Sequence, residues 1–193
     1  IDPLFALAWV GVADSLYLSI GWTGASAEEV YPVIEDAVRN AMAIDNGLGE
    51  AYASLAWIHR YYGRNDEVEI AYQKAIELSP NYASAYQWYS NHIGTSDPLR
   101  IEESLDLLQK AAKLDPRSRI IGLNLSQYYA QRGLYTLAER QYRKLIEIHP
   151  DFETGYVFLA FLYWSNMGQF DKALALLNKA SALHPEFYFL NLP

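Results

Sequence analysis

The chain contains no cysteine, which removes disulfides, thiol nucleophiles and cysteine-ligated zinc from consideration. It also lacks a surplus of positive charge: 15 Lys and Arg stand against 23 Asp and Glu, for a formal charge of −8 and a pI near 4.9. A chain of this sign is not expected to grip nucleic acid or an anionic membrane directly, since both need a basic face. No apolar run reaches the length of a membrane span, and no secretory-signal pattern is found. Signatures of catalysis are missing too: no glycine-rich phosphate loop, no nucleophile elbow and no His-Glu-x-x-His helix. The four histidines are scattered. His149 and His184 each precede a proline, where Asp stands in comparable positions elsewhere. His59 takes an inward helical position suited to a packed neutral imidazole, and His59 with His92 alone makes a poor metal site. The reading is a non-enzyme, with no catalytic residue, cofactor or metal. The absence of Met at Ile1, together with an Asp2-Pro3 that reads as the close of an earlier segment, suggests a piece of a longer protein.

What is present is apolar, aromatic and periodic: 51% hydrophobic and 15% aromatic residues, with 16 Tyr and 5 Trp. Residues 47–80, GLGEAYASLAWIHRYYGRNDEVEIAYQKAIELSP, organise the rest. Tyr52, Leu55, Ala56 and His59 follow the spacing of one helix face, as do Val68, Tyr72, Ala75, Ile76 and Leu78. Between them Gly63-Arg64-Asn65-Asp66 supplies a tight turn, and Pro80 stops the second helix. Similar closing signals recur at Asp2-Pro3, Asp45-Asn46, Ser79-Pro80, Asp115-Pro116, His149-Pro150 and His184-Pro185. After a first interval of 43 residues, their spacing is 34 to 36. This pattern resembles the tetratricopeptide repeat (TPR), a helix–turn–helix unit of 34 residues.

The expectation is therefore an all-α chain: a solenoid of about five such repeats, at 1–46, 47–80, 81–116, 117–150 and 151–185, forming a single array over 1–193. About ten helices follow, with breaks near 19–27, 46–48, 63–66, 79–81, 94–100, 115–118, 133–135, 149–151 and 167–169. Ser26 and Glu29 read as a capping box, but Pro32 leaves open a kink or a helix start near Tyr31. Small residues at Ala13, Ala56, Ser90, Ser126 and Ala160 would let paired helices approach closely. Residues 186–193, EFYFLNLP, read as a stub covering the open face of repeat five. The TPR resemblance implies a right-handed superhelix whose first helices line a concave groove.

By that register the groove receives Tyr17, Trp57, Arg60, Tyr61, Gln87, Trp88 and Asn91, then Leu123, Asn124, Gln127, Val157, Phe158, Phe161 and Trp164. TPR adaptors that clamp a chaperone's terminal carboxylate use cations here. In this chain Asn91 and Asn124 match the adaptor's asparagine pair, but Gln87, Thr154 and Phe158 stand in place of the cations. What remains is an aromatic, weakly charged surface, suited to a protein or peptide partner anchored at Trp57, Trp88, Phe158 and Trp164. The competing reading is that neighbouring first helices bury these rings against one another, with Phe158, Phe161 and Trp164 covered by the tail or a second copy. Trp22, on the long first turn, is a further contact candidate.

DPLFALAWVGVADSL, a long turn with Tyr31-Pro32, EAYASLAWIHRYYG and SPNYASAYQWYS together resemble the TPR regions that form the C-terminal halves of bacterial winged-helix, nucleotide-cyclase and kinase regulators. The resemblance implies a bacterial signalling or transcriptional module, in the cytoplasm or alternatively the periplasm. Association of copies through the array ends is compatible with it. A small-ligand or signal-peptide sensor that changes its superhelical pitch is the alternative function.

Overall fold

In the computed structural model the described residues are 5–20, 24 and 26–183. They form ten α-helices and one 3₁₀ turn, and among the described residues there is no strand. The helices are α1 (Ala6–Ser19), α2 (Ala27–Ile44), α3 (Gly49–Tyr61), α4 (Asn65–Leu78) and α5 (Ala83–Ser96). The 3₁₀ turn Pro98–Arg100 leads into α6 (Ile101–Leu114), followed by α7 (Arg119–Gln131), α8 (Tyr135–Ile148), α9 (Glu153–Ser165) and α10 (Phe170–Leu183). Consecutive helices pair as hairpins, α1 with α2, α3 with α4, α7 with α8 and α9 with α10. Packing divides the chain into two compact units, Ile1–Leu107 and Leu108–Pro193, with the division inside α6.

Local chemistry explains the helix ends. Ser26 accepts from the Glu29 backbone N–H, and Glu29 accepts from the Ser26 N–H, closing the expected capping box. The helix accordingly starts at Ala27 and runs through Pro32, which sits exposed, so the missing donor falls on the solvent side. Gly63 and Gly133 adopt φ of 70° and 72°. In that left-handed geometry Arg64 donates to the His59 carbonyl and Leu134 to the Tyr129 carbonyl, so two helix ends are satisfied alike. A second device recurs at repeat starts: the hydroxyls of Tyr86 and Tyr156 donate to the carbonyls of Pro80 and Pro150.

The break expected over 94–100 is shorter than the sequence suggested, because α5 continues to Ser96. Gly94 is a close-approach glycine, not a turn glycine. A Cβ there would lie 3.0 Å from the Ser104 hydroxyl. Ser104 and Ser90 each donate to the other's backbone carbonyl, at 2.9 and 2.7 Å, fixing α5 against the start of α6. Thr95 and Ser96 return their hydroxyls to the Asn91 and His92 carbonyls, which keeps the last turn helical. Asp97 then caps the 3₁₀ turn through the Leu99 N–H.

Inside the hairpins the five small residues are fully buried: Ala13, Ala56, Ser90, Ser126 and Ala160 are each at most 1% exposed. Around them the N-terminal unit packs Ile34, Val38 and Ile58, then Val68, Tyr72 and Ile93. The C-terminal unit buries Tyr142, Leu145, Tyr156, Leu159 and Tyr163. Two glycines allow a matched test. A Cβ at Gly49 would meet the Ala75 carbonyl and the Ser79 side chain within 2.7 Å, whereas one at Gly11 meets nothing within 4 Å. Gly49→Ala should therefore cost about 1–3 kcal/mol in chemical denaturation, while Gly11→Ala, in mid-helix, should gain about 0.5–1 kcal/mol.

Candidate functional site

The first helices of the N-terminal unit carry a run of stacked rings. Tyr17 of α1 lies on Trp57 of α3, with centroids 3.8 Å apart and planes 12° from parallel. Trp57 meets Trp88 of α5 at 4.1 Å and 55°, and Tyr82 meets the edge of Trp88 at 5.9 Å. Beside this run Tyr31 of α2 stacks on Tyr61 of α3 at 3.7 Å. Trp57 also packs with Tyr72 in one buried cluster. Its ring is consequently only 2% exposed, which corrects the expectation that Trp57 offers an anchor: three helices enclose it as packing. Gln87 is likewise buried, at 6%, and has no face to present. Trp88 and Tyr61 are half-buried, and Asn91 is exposed.

Next to these rings is a polar cluster that the sequence reading passed over. Ser54 donates to Asp14 at 2.6 Å, and the nearby Tyr82 hydroxyl favours the charged form of that carboxyl. Ser79 donates to Glu50 at 2.9 Å. Burial pushes the Asp14 carboxyl up from 3.8 to about 6, opposed by the Ser54 and Tyr82 hydroxyls and aided by the charge of Glu50. The available signal was that Asp14 is the single charged residue in α1.

In the C-terminal unit the aromatics behave differently. One face of α9 is buried through Tyr156, Leu159, Ala160 and Tyr163. The opposite face carries Phe158, half-buried, with Phe161 and Trp164 exposed at 64% and 59%. Trp164 meets Phe170 edge-on at 5.1 Å, and Phe170 is itself exposed. The Asn166 amide donates to the Tyr135 hydroxyl, tying the end of α9 to the start of α8, where Leu134 and Leu137 are exposed. Phe161 and Trp164 are thus exposed on this chain by itself, and a second copy that could cover them would have this face open to it. The proposed tail cover at 186–193 and Trp22 both lie outside the described residues. Asn124 and Gln127, on α7 of this unit, are half-buried.

Burial lowers the affinity of His59 and His92 for a proton, which favours neutral rings. Among the described residues no three His, Asp or Glu side chains converge as metal ligands. His59 borders an open cleft of about 510 Å³ between α3 and α4, lined also by Tyr52, Leu55 and Ile70.

Two measurements check these placements. Trp57→Ala should lower folding stability by about 3–5 kcal/mol in urea unfolding. Because the native state favours protonated Asp14, its contribution to stability is fully present below pH 3.8 and is lost as pH rises through about 6. Asp14→Asn should remove that fall, so that the variant gains about 1–2 kcal/mol on wild type between about pH 4 and pH 7.5, the carboxyl being partly in water.

Comparison with known proteins bears on this architecture. Residues 49–82 match the family model of the tetratricopeptide repeat. The chain is 28% identical over 136 residues to human protein O-mannosyl-transferase TMTC1, and 28% identical over 146 residues to the cytochrome c-type biogenesis protein CycH of Rhizobium meliloti. Each alignment takes in 70% of this chain, but only 15% and 38% of those relatives' lengths. Among solved structures it resembles TTC0263, a thermophilic TPR protein of Thermus thermophilus, with TM-score 0.68 and 22% identity over 94% of this chain and 93% of that one. It also resembles YrrB, described as a TPR protein with an unusual peptide-binding site, with TM-score 0.60 and 16% identity over 96% and 89% of the two chains. The chain therefore has the all-helical fold of a tetratricopeptide-repeat array, and its residues 49–82 carry that repeat in sequence as well.

Proposed function

We propose that this chain is a non-catalytic docking module for a protein or peptide, acting as the interaction region of a bacterial signalling or transcriptional regulator in the cytoplasm. The observation that carries the reading is the row of exposed rings on α9. Phe161 and Trp164 stand on a rigid helix whose other face is fully packed. Large exposed aromatics in a row mark interaction sites, because their apolar area gains most from leaving water. Such rings, when buried by a partner, dominate binding energy. The TPR fold supports the reading, since TPR proteins bind proteins and peptides, and YrrB is named for such a site. By the repeat register, half-buried Asn124 and Gln127 on α7 would join this surface, their amides pairing with a partner backbone. Trp88 and Asn91 contribute a separate contact on α5.

Selecting a displayed peptide library on the full chain, then titrating the enriched peptides, tests the reading. Peptides with aromatic or leucine anchors should bind with micromolar affinity. Trp164→Ala should weaken them by about 2 kcal/mol while leaving the melting temperature within a few degrees, because the ring is largely exposed. Failure to enrich any sequence, or equal binding by the Trp164 variant, would contradict the proposal.

A further inference from the structure

The same helical position carries an aromatic ring in two hairpins and meets two different fates. Trp57 is the ninth residue of α3, and Phe161 is the ninth of α9. Trp57 is covered by rings from the first helices of two other hairpins, Tyr17 at 3.8 Å and Trp88 at 4.1 Å, and is 2% exposed. Phe161 is mostly exposed. Trp164, one turn further on, meets Phe170 edge-on, and both of these rings also stay more than half exposed. Where this position is covered, the cover is therefore a ring carried on another helix of the same kind, packed alongside.

The spacing on α9 points to a helix that can supply such a ring. Phe158, Phe161 and Trp164 stand three residues apart, along one ridge of the helix. That ridge is symmetric about Phe161, with a ring three residues before it and another three residues after. Turned end for end, it opposes itself ring to ring. Charge favours the same match. Glu153, in the first turn, is the one charged residue of α9. The ridge therefore meets a copy of itself without the repulsion that a net charge of −8 brings to most contacts between copies. At their exposed fractions Phe161, Trp164 and Phe170 offer roughly 350–400 Å² per copy, or roughly 700–800 Å² for two. Half-buried Phe158 and Val157 and exposed Leu174, at the margin, bring the total to the roughly 1,000 Å² expected of a small, reversible interface. Resting on the docking reading above, we propose that the partner of this face is a second copy of the chain, the two α9 helices packing antiparallel about Phe161. Phe161 of one protomer then lies on Phe161 of its partner, and each Trp164 lies over the other protomer's Phe158. A two-fold contact of this kind is closed, so association stops at the dimer.

Sedimentation velocity of the full chain up to about 300 µM should show a monomer–dimer equilibrium, with Kd on the order of 10–100 µM for so small an interface. Trp164→Ala should weaken it at least about tenfold. Phe161→Glu and Phe161→Lys, at an exposed position where circular dichroism should show the fold kept, should each be monomeric. An equimolar mixture of those two variants should restore the dimer, because the two-fold axis sets residue 161 against itself. A wild-type chain that stays monomeric at about 300 µM, or dimers that survive Phe161→Glu, would overturn the proposal. So would monomeric variants whose mixture fails to pair. A chain ending at Leu183 that dimerises at least about tenfold tighter would give the face to the chain's own last ten residues and equally refute it. The peptides enriched on the full chain separate this inference from the docking reading. Binding that needs Trp164, on a chain that never dimerises, would leave the docking reading standing and overturn the pairing. Dimers abolished by Phe161→Glu, with no peptide enriched, would uphold the pairing and remove the outside partner.

Discussion

Each hairpin of this molecule closes on a side chain too small to hold its helices apart. Ala13, Ala56, Ser90, Ser126 and Ala160 occupy those contacts with almost no exposure, and neighbouring larger side chains fill the space that remains. A helix pair built this way cannot bury its apolar faces alone, so it must stack on another. At α5 and α6 the contact is so close that it takes two serines, exchanging hydrogen bonds with each other's backbone, and a glycine. Polar links then join successive repeats: Glu69 of α4 accepts both terminal nitrogens of Arg100 and the Tyr89 hydroxyl, while Glu139 of α8 accepts from Tyr163 and Arg143. The same trio of Glu, Tyr and Arg recurs, with the arginine on a different kind of element.

Stacking also decides which aromatics remain available. In the N-terminal unit the first helices bring Tyr17, Trp57 and Trp88 within stacking distance, and the ring in the middle is enclosed. In the C-terminal unit α9 is apolar all round, yet only one of its faces is covered. The same residue type at the same kind of helical position is packing in one unit and exposed surface in the other. Function therefore has to be sought where stacking leaves rings open.

Much of the fold was legible in the sequence because the repeat enforces it. Closing residues spaced 34 to 36 apart, helix-stopping prolines and small inward residues are local signals, and the helix limits follow them within a few residues. The α5–α6 turn escaped because Gly94 carries the same letter whether it bends the chain or admits a neighbour. Trp57 was misplaced as an anchor because register gives a side chain's direction but not the ring it meets there. Asp14 was missed because helical spacing ranks apolar positions and is silent on a lone carboxylate held by hydroxyls.

The central claim is that the open aromatic face of α9, not the buried ring stack of the N-terminal unit, meets the partner. Hydrogen–deuterium exchange of the full chain, with and without a saturating peptide bearing aromatic anchors, addresses it most directly. The account predicts slowed exchange across residues 153–172, with little change across 49–96. Protection confined to 49–96, or none in either segment at saturation, would contradict it.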